Sequence, residues 1–587
     1  MLFVPFFGCG QTATMPDGLA AECEPAEDGF SVNEKVVGVK NSVFYIKRPD
    51  KKSYNTVSAS VFGISPDNRD NSDAFRAAIE FCRNNPHTRL VFNNGTYFFR
   101  NESEIVINGL KDTIIDGEGS DFCFSNAYYF SISDCERLEF TDFSVSRNDE
   151  NGQLASLVKI SNASSENHSF DMEFIGLDNV NEATVISALT QYAPETLTPG
   201  VRKGTKEHYI YSSPESIVSV KKVSTNTLRL VHDGSLDDIC NDEVYLLRHH
   251  VYGGNVFNIF RSNDFTFSNI KIGTAAGMGW LISDRCSHFQ IIDCSVDIPD
   301  GELSERVSTT ADAIHIANTN GHFKIDGCTF GFMGDDALNV HDNVSLVTGI
   351  PDKKTITLYS NAPNIKVGDT VSFYDESYNK TGVTAQVQSV DGNSILLDTD
   401  VSSSVKNGYI VINDSIDSGN YVITNNRVHE NRARGFLLQS SNGLCSDNVF
   451  YKTMGNAIKV VVDISSGNWL EGTGVNLLEI SGNTFTDCNV SDWGTQIDIS
   501  TNINGKSASR ALFENITISN NSFDGGYGEM LSASNVNGLV ITGNTVRNIP
   551  TRIILGKHCG NVSVKENSAP DSAVGFTIKL KSISALF

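Results

Sequence analysis

Short runs of alternating apolar and polar residues recur along most of the chain, and a polar pair rich in asparagine separates one run from the next. An apolar position follows each pair, as in Asp447-Asn448-Val449-Phe450. The asparagines of this element recur at a constant interval, as Asn521, Asn544 and Asn567 do. The interval, about 22–23 residues with three short strands per turn, is the signature of a parallel β-helix. The pattern therefore predicts an all-β fold, a right-handed parallel β-helix.

The chain before the first regular coils has the pattern of a cap. Asn71-Ser72-Asp73 can cap a helix over Ala74–Arg83, in which apolar residues recur at helical spacing. A strand at Leu90–Phe92 follows. A β-helix needs such a cap because its first coil would otherwise expose an unpaired edge. We therefore assign residues 56–179 to the cap and the first coils.

Two stretches interrupt the period. Asp336 and Arg434 align in consecutive coils, but the chain between them is roughly four times as long as the coil length of about 22–24 residues. The excess, 345–413, is rich in short strands and turns and predicts a small inserted β-barrel. The stretch 180–250 has a similar pattern and predicts a second barrel. Inserts on a solenoid usually wall the binding groove. The remaining coils occupy 251–344 and 414–587.

Two aligned segments carry the candidate chemistry. Asp312 precedes Ala-Ile-His-Ile, the pair Asp335-Asp336 precedes Ala-Leu-Asn-Val, and Asp336 follows Asp312 by one coil length. Because stacked strands lie about 4.8 Å apart, we expect three neighbouring carboxyl groups, and repulsion should raise the pKa of at least one. We assume that a corner turns them to solvent, since strict alternation would point them inwards. Glycoside hydrolysis needs one protonated carboxyl and one carboxylate.

Further coils extend the aligned strand. Arg434 and Asn456 continue the column of Asp312 and Asp336, and Trp280 aligns with the inward column, which predicts a place in the core. Other polar residues of these coils face outwards. For one of them, His315, a structural and a functional role are equally compatible with the pattern. Arg434 and Lys459 could bind substrate or act as salt-bridge partners of the aspartates.

The composition narrows the choice of partners. A formal net charge of −25 argues against a nucleic-acid partner, which needs a basic surface, and favours a neutral sugar over a strongly anionic polysaccharide. The 12 cysteines include no CxxC pair and no Cys/His cluster of zinc spacing, so the sequence predicts neither a metal site nor a cofactor. Cys294 and Cys328 occupy the asparagine position of their repeats, and we expect buried free thiols there.

The first residues have features of an export signal. Met1–Gly8 is apolar and leads directly into Cys9, as at the end of a bacterial lipoprotein signal. An ordinary signal-peptide remnant is the alternative, because no basic residue precedes the apolar run. We expect an exported protein of the bacterial cell envelope or periplasm, with Cys9 as the candidate lipidation site and its lipid as the membrane attachment. Residues 1–55 are assigned to this leader and a weakly structured linker.

At the aspartate segments the sequence resembles glycoside hydrolase family 110, the bacterial β-helix exo-α-1,3-galactosidases that act on blood-group-B-type termini. The resemblance covers roughly residues 57–570 and is most specific at ADAIHI, GFMGDDALNVHDN, NRARGFLLQ and GNWLEGTGVNLLEISGNTFTDC. It implies inverting hydrolysis of a glycan with terminal α-1,3-linked galactose at Asp312, Asp335 and Asp336. It further implies Asp335 as the general acid, with the other two activating water. Asp342 stands where the family commonly has glycine, which leaves the linkage and the aglycone open.

Polar and aromatic side chains of the same motifs are the expected substrate contacts: His341, Asn339, Arg434, Lys459, Trp469 and Glu471. Trp469 would offer its ring to the apolar face of the sugar. The sequence does not determine whether branched or linear glycans are preferred. It also leaves open whether two copies pair along an exposed flank of the solenoid as a homodimer.

Three other interpretations stay open. A polygalacturonase-like hydrolase also carries three aspartates on a β-helix, but the Gly-His and Arg-Ile-Lys elements that would hold galacturonate do not occur at the expected places. A lyase would need a calcium site or a basic catalyst, for which Lys459 and Arg434 are weak candidates. A non-catalytic glycan-binding β-helix would bind its glycan without hydrolysis.

Overall fold

The computed structural model describes residues 23–148, 152–299, 301–465, 469–550, 552–572 and 575–580. Most of this part of the chain forms short parallel strands that stack coil on coil, and three parallel sheets run along the resulting solenoid. The prediction of an all-β parallel β-helix is confirmed. Within these ranges, no helix has the length and apolar character needed to cross a membrane.

Sheet A carries the candidate site, and its strands pair in parallel in chain order. They are Ile105–Asn108, Phe130–Ser133, Phe257–Phe260, Trp280–Ser283, Ile314–Ala317, Leu338–His341, Phe436–Leu438, Ile458–Ser465, Ile497–Ile503, Leu531–Ala533, Arg552–Leu555 and Thr577–Leu580. Trp469–Glu471 adds a short antiparallel strand beside Ile458–Ser465. The register is the one expected from the sequence, because Ile314 pairs with Leu338 and Leu338 with Phe436.

Sheets B and C form the other two faces of the solenoid. Three long strands bend from sheet B into sheet C: Lys111–Phe124, Glu136–Arg147 and Asn263–Ile272. The other strands of sheet B are Asn55–Ser58, Thr88–Val91, Ser287–Ile292, Phe323–Asp326, Tyr421–Thr424, Gly443–Ser446, Val475–Ser481, Phe513–Ser519, Val536–Thr542 and Ser563–Lys565. Those of sheet C are Thr96–Phe99, Ser295–Val296, Thr329–Gly331, Arg427–His429, Val449–Tyr451, Thr484–Thr486, Ser522–Asp524 and Thr545–Arg547.

Inward side chains of the three sheets fill the solenoid with one continuous apolar core, which includes Trp280, Cys294 and Cys328. Between sheets B and C, asparagine side chains join consecutive coils through amide-to-carbonyl hydrogen bonds of 2.9–3.0 Å. This asparagine ladder consists of Asn426, Asn448, Asn483, Asn521, Asn544 and Asn567. The sequence repeat therefore marks a buried hydrogen-bonded column, in which each side chain satisfies backbone groups at a turn.

The helix Ser72–Asn84 closes the N-terminal end of the solenoid, where the sequence predicts a cap. Its buried face, which includes Phe75, Ile79 and Cys82, packs on the core of the first coils. Short 3-10 turns lie at Val39–Asn41, Lys51–Ser53, Ala59–Phe62, Ile210–Ser212 and Pro214–Ser216.

Residues 23–49 are not the weakly structured linker that the sequence predicts. Strands Cys23–Pro25, Ser31–Val37 and Val43–Pro49 form an antiparallel sheet that packs across sheet B, where Ile46 lies in one buried cluster with Val422. The prediction failed because two neighbouring strands of equal length carry no coil period. Cys9 and the rest of the leader lie outside the described residues.

The two inserts differ from one another. The second is the predicted closed barrel, with strands Ser345–Gly349, Thr355–Leu358, Thr370–Tyr374, Lys380–Asp391, Ser394–Leu397 and Ile410–Asn413. The first begins at Ala155 instead of 180, and within the described residues its antiparallel sheet does not close into a barrel. Its strands are Ala155–Ser164, Ser169–Phe174, Ala188–Ala193, Thr198–Pro199, Glu207–Tyr209, Ile217–Ser224, Thr227–His232 and Val244–Arg248.

The boundary of the first insert was misplaced for a physical reason. Ala155–Ser164 alternates apolar and polar residues much as the coil strands do, but it pairs antiparallel with Val244–Arg248, which lies far along the chain. Strand alternation is the same in both kinds of sheet, so the pattern alone does not tell a coil strand from an insert strand.

Candidate active site

Asp312, Asp335 and Asp336, here called the aspartate cluster, meet at the corner that precedes two adjacent strands of sheet A. These strands, Ile314–Ala317 and Leu338–His341, pair in register, and the backbone N–H of Asp336 donates to Asp312 Oδ1 at 3.1 Å. One oxygen from each carboxyl lies within 4.8 Å of the other two. The predicted proximity is thus confirmed. The corner turns only Asp335 partly to solvent, whereas Asp312 and Asp336 are buried.

Asp336 is the most deeply buried member of the cluster, with 2% of its surface exposed. Its Oδ1 accepts the backbone N–H of Arg434 at 2.9 Å, and its Oδ2 accepts the Nη2 group of the same residue at 2.8 Å. Burial raises the pKa of Asp336 to about 8, with Asp335 and Asp312 adding to the effect and Arg434 opposing it. This carboxyl therefore holds a proton at neutral pH.

Asp335 has the opposite ionisation. Its Oδ1 accepts Nη1 of Arg432 at 2.9 Å, and its Oδ2 accepts the hydroxyl of Tyr252 at 2.5 Å. Burial alone would raise the pKa of Asp335, but the guanidinium groups of Arg432 and Arg434 outweigh it, and the net shift is downwards. The site therefore combines an ionised carboxylate with a protonated carboxyl, the two states that glycoside hydrolysis needs.

Asp312 is linked to a pair of histidines whose rings meet edge to face. Nδ1 of His315 lies 2.7 Å from Asp312 Oδ2, and Nε2 of His315 lies 2.9 Å from Nε2 of His341. Burial raises the pKa of Asp312, partly offset by His315, whereas burial lowers the pKa of His341 to about 4. His341 is therefore neutral at the pH where the cluster works. Of the two roles left open for His315, this contact favours a functional one.

The first insert supplies the wall on one side of the cluster. Glu207 Oε1 accepts Nε of Arg432 at 2.7 Å, and the hydroxyl of Tyr209 contacts the same guanidinium group. Arg248, buried at the end of its strand, donates to the backbone carbonyl of Gly334 at 3.2 Å. Carboxylate and guanidinium groups thus alternate from the insert to Asp335, and Glu207 holds Arg432 in the position from which it reaches Asp335.

Sequence reasoning missed Arg432, Tyr252 and Glu207. Arg432 belongs to the NRARG motif. Of that motif only Arg434 was predicted at the site, because Arg434 aligns with Asp336. Tyr252 and Glu207 lie in or just after the first insert, and no repeat fixes their positions. Their contacts depend on how the insert packs on the coils, and no spacing in the sequence reports that packing.

Two more of the predicted substrate contacts, Asn339 and Glu471, lie beside the histidines. Gln439 Nε2 donates to Glu471 Oε2 at 3.1 Å and to Asn339 Oδ1 at 3.3 Å, and the charge of Glu471 acts on both His315 and His341. Arg434 also lies at the cluster, as predicted, where it donates hydrogen bonds to Asp336.

The structure does not bring Lys459 and Trp469 to the cluster. Lys459 lies outward on its strand between Leu437 and Asp498, and among the described residues no hydrogen bond or ion pair joins it to the aspartate cluster. Trp469 is exposed and pairs with Ser465. Ser465 ends the strand that begins at Ile458, which places Trp469 roughly 23 Å along that strand at about 3.3 Å per residue. Both were predicted as galactose contacts because the sequence shows the column of a residue, not its distance along the groove.

In the part of the chain that the structure describes, two groups of side chains have the composition of a metal site. The aspartate cluster is one, but Arg432 and Arg434 already pair with its carboxylates. The other is His168, His232 and Asp237 on the first insert. Nδ1 of His232 accepts the backbone N–H of Gly234 at 3.0 Å, whereas a metal-binding histidine normally donates from its second nitrogen. The donor set of the second group therefore does not suit a metal.

No protein-family model matches the sequence. The alpha-1,3-galactosidase B of Bacteroides thetaiotaomicron is 24% identical over 540 aligned positions, which cover 84% of this chain and 86% of that protein. The alpha-1,3-galactosidase A of Shewanella woodyi is 24% identical over 538 positions, covering 84% and 85%. Relatives of this name confirm the prediction that the chain is a glycoside hydrolase.

Solved structures resemble the chain only loosely. An exopolygalacturonase from Thermotoga maritima aligns with 91% of this chain and 94% of its own, at 12% identity and a TM-score of 0.41. The adhesin PfbA of Streptococcus pneumoniae aligns with 84% and 90%, at 10% identity and a TM-score of 0.39. An enzyme and an adhesin thus align about equally well, so this likeness does not bear on the site.

Proposed function

We propose that the protein is an exo-acting α-1,3-galactosidase that releases terminal galactose from glycans by inverting hydrolysis. The observation that carries the proposal is the aspartate cluster, in which a protonated Asp336 and an ionised Asp335 lie side by side in a walled site. The two relatives named alpha-1,3-galactosidase support the choice of galactose and linkage. Arg432 is paired with the ionised Asp335 and with Glu207, which argues against galacturonate because this cation is not left to hold its carboxylate.

The ionisation of the free protein supports a division of roles. Asp336 holds the proton that the glycosidic oxygen must receive as it leaves. Asp335, kept ionised by Arg432 and Tyr252, is the carboxylate that takes a proton from the attacking water. Asp312 orients Asp336 through the backbone hydrogen bond and is itself fixed by His315. This order reverses the one that the resemblance implies, in which Asp335 is the acid.

The stereochemical outcome is part of the proposal. The nearest carboxyl oxygens are within 4.8 Å of one another, closer than the roughly 6.5–9.5 Å separation of most inverting pairs. We nevertheless propose inversion, because a donor already occupies each oxygen of the three carboxyls. A carboxylate held by two strong donors is a poor nucleophile towards the anomeric carbon, whereas it can still accept a proton from water.

The substrate class and the location of the enzyme are part of the same proposal. The substrate class is a terminal α-1,3-galactoside of blood-group-B or linear type, and the choice between these two forms is left to experiment. Export to the cell envelope or periplasm would place the enzyme where such glycans arrive. Fatty-acid labelling of the natural host protein, lost on Cys9→Ala, tests the lipid anchor; an unlabelled protein contradicts it.

The first experiment measures galactose released from an α-1,3-linked galactose disaccharide. Asp312→Asn, Asp335→Asn and Asp336→Asn should each lower kcat by about 10² to 10⁴, the contribution of a positioned acid or base. Asp524→Asn, on sheet C, is the matched control and should keep the rate. Unchanged melting temperatures show that the variants fold. Normal rates in all three variants would contradict the proposal, because catalysis would then lie elsewhere, and a wild type that releases no galactose would leave a glycan-binding protein.

A second experiment separates the acid from the base. A good leaving group such as fluoride needs no protonation, so the variant of the general acid should regain activity on α-galactosyl fluoride. We expect this recovery for Asp336→Asn and not for Asp335→Asn. The activity of the wild type on the disaccharide should also fall as the pH rises through about 8, because Asp336 then loses its proton. Recovery by Asp335→Asn alone would show that Asp335 is the general acid, as the resemblance implies.

A further inference from the structure

Small residues occupy the corner on the C-terminal side of the aspartate cluster. In the register of sheet A, the residues that stack on Asp335 in the next two coils are Ala433 and Gly455, and Gly455 N–H donates to the carbonyl of Ala433 at 2.7 Å. Neither residue has a side chain that projects far from the corner. Both residues are buried, and Gly455 lies two coils, roughly 10 Å at about 4.8 Å per coil, from Asp335.

The opposite direction is closed. Tyr252 comes from the N-terminal side and places its hydroxyl on Asp335, and its neighbour Gly253 bonds to the backbone of Ala276 in a preceding coil at 2.6 Å. Glu207 and Tyr209 of the first insert cover the flank through Arg432. We therefore expect a glycan whose terminal galactose sits at the cluster to extend towards the C-terminal coils.

An exposed indole, that of Trp493, lies against the second of these coils. It is 39% exposed, and a Cβ atom built on Gly455 would come within 2.8 Å of its Cε3 atom. The ring thus lies against the backbone of Gly455, where a side chain at that position would otherwise extend. Because Gly455 shares the column of Asp335, the indole lies on the same corner of the solenoid as the aspartate cluster.

The loop that presents the indole is held firmly. The backbone N–H of Trp493 donates to Asn489 Oδ1 at 2.9 Å, and Asn489 also donates to the carbonyls of Gly494 and Tyr527. Ser491, on the same loop, is buried and contacts the hydroxyl of Thr205 from the first insert. An exposed tryptophan on a fixed loop loses little conformational entropy on binding, which is the condition for a stacking platform.

We propose that Trp493 is the platform of an aglycone subsite, which stacks on the apolar face of the second or third sugar behind the terminal galactose. The subsite rests on the proposed function. It binds the sugars beyond the terminal galactose, which the sequence motifs do not identify. It takes a neutral pyranose, since the surface is an indole face. The enzyme is thereby expected to prefer oligosaccharides over galactosides with a minimal leaving group.

The test compares kcat/KM for a linear α-1,3-galactosyl tetrasaccharide with kcat/KM for α-galactosyl fluoride, which has no aglycone sugar. Trp493→Ala should lower the ratio of the two values about threefold to tenfold, as loss of one aromatic stacking contact does. Trp493→Phe should restore most of the ratio. Tyr45→Ala, at an exposed aromatic of the N-terminal sheet, is the control and should leave the ratio at its wild-type value.

An unchanged ratio in Trp493→Ala would overturn the subsite, and so would an equal fall on both substrates, which points to a structural role of the loop. These outcomes differ from failure of the proposed function. In that case the wild type releases no galactose from either substrate, and the subsite falls with it.

Discussion

At the scale of single residues, the aspartate cluster is defined by its donors. All six carboxyl oxygens accept hydrogen bonds, from the backbone N–H groups of Asp336 and Arg434 and from the side chains of His315, Arg432, Tyr252 and Arg434. The donors on Asp335 include a guanidinium group and a phenol, and those on Asp336 come from one arginine in a fully buried setting. Chemically identical side chains thus have different pKa values because their surroundings differ.

Tyr252→Phe tests this arrangement. The change removes the hydroxyl that donates to Asp335 Oδ2, which lowers the stability of the carboxylate and raises the pKa of Asp335. The acidic limb of the kcat/KM profile should then move to higher pH, with activity at acidic pH reduced roughly threefold to tenfold. Tyr211→Phe, whose side chain is exposed nearby, serves as the control. A profile that superimposes on that of the wild type would show that the phenol does not set the ionisation.

The cluster could be predicted from the sequence only in part. Asp312 and Asp336 were paired correctly because their spacing equals one coil, and the register of sheet A carries that spacing into space. The position of Trp469 could not be predicted, because the same register says nothing about position along a strand that extends to Ser465. Tyr252 was missed because its place depends on long-range packing of the first insert, which leaves no periodic trace.

At the scale of the elements, the asparagine ladder connects one coil with the next. The side chain of Asn483 donates to Asn521 Oδ1 and to the carbonyl of Cys445, and its own Oδ1 accepts the backbone N–H of Asn448. Each buried amide thus satisfies polar groups of three coils. The repeat was readable in the sequence because the turn geometry that requires it recurs in every coil.

Asn483→Ala should therefore be costly. It leaves a buried carbonyl and a buried N–H group without partners, each worth about 1–3 kcal/mol, so the free energy of unfolding should fall by about 2–4 kcal/mol in denaturant titrations. Asn548→Ala, which removes an exposed contact to Asp524, should change it by less than about 0.5 kcal/mol. Equal effects of the two substitutions would show that the ladder adds no more stability than a surface contact.

At the scale of the whole molecule, the N-terminal sheet fastens several coils together. Glu34, 2% exposed, contacts Lys324 Nζ at 2.5 Å, Gln290 Nε2 at 2.9 Å and Arg48 Nη1 at 3.2 Å. Lys324 and Gln290 belong to different coils of sheet B. This sheet escaped the sequence analysis because its order depends on contacts with coils that lie far along the chain.

Glu34→Gln should weaken this attachment in a pH-dependent way. Burial opposes ionisation of Glu34, but Lys324, Gln290 and Arg48 outweigh it and lower its pKa. A lowered pKa adds stability above the unfolded value near 4.5 and loses it as the pH falls. The variant should lose about 2–4 kcal/mol of unfolding free energy at pH 7 and approach the wild type at pH 3. Glu27→Gln, exposed on the same sheet, is the control; a loss independent of pH would contradict the ionic attachment.

Hydrolysis of a terminal α-1,3-galactoside with inversion at the aspartate cluster is tested most directly by NMR of the freshly released galactose. Branched and linear α-1,3-galactosyl glycans are hydrolysed side by side, and spectra are recorded before the sugar mutarotates, with Asp336→Asn as the inactive control. The account predicts that β-galactose appears first from at least one of the two glycans. Appearance of α-galactose first, or no galactose from either glycan, would contradict it.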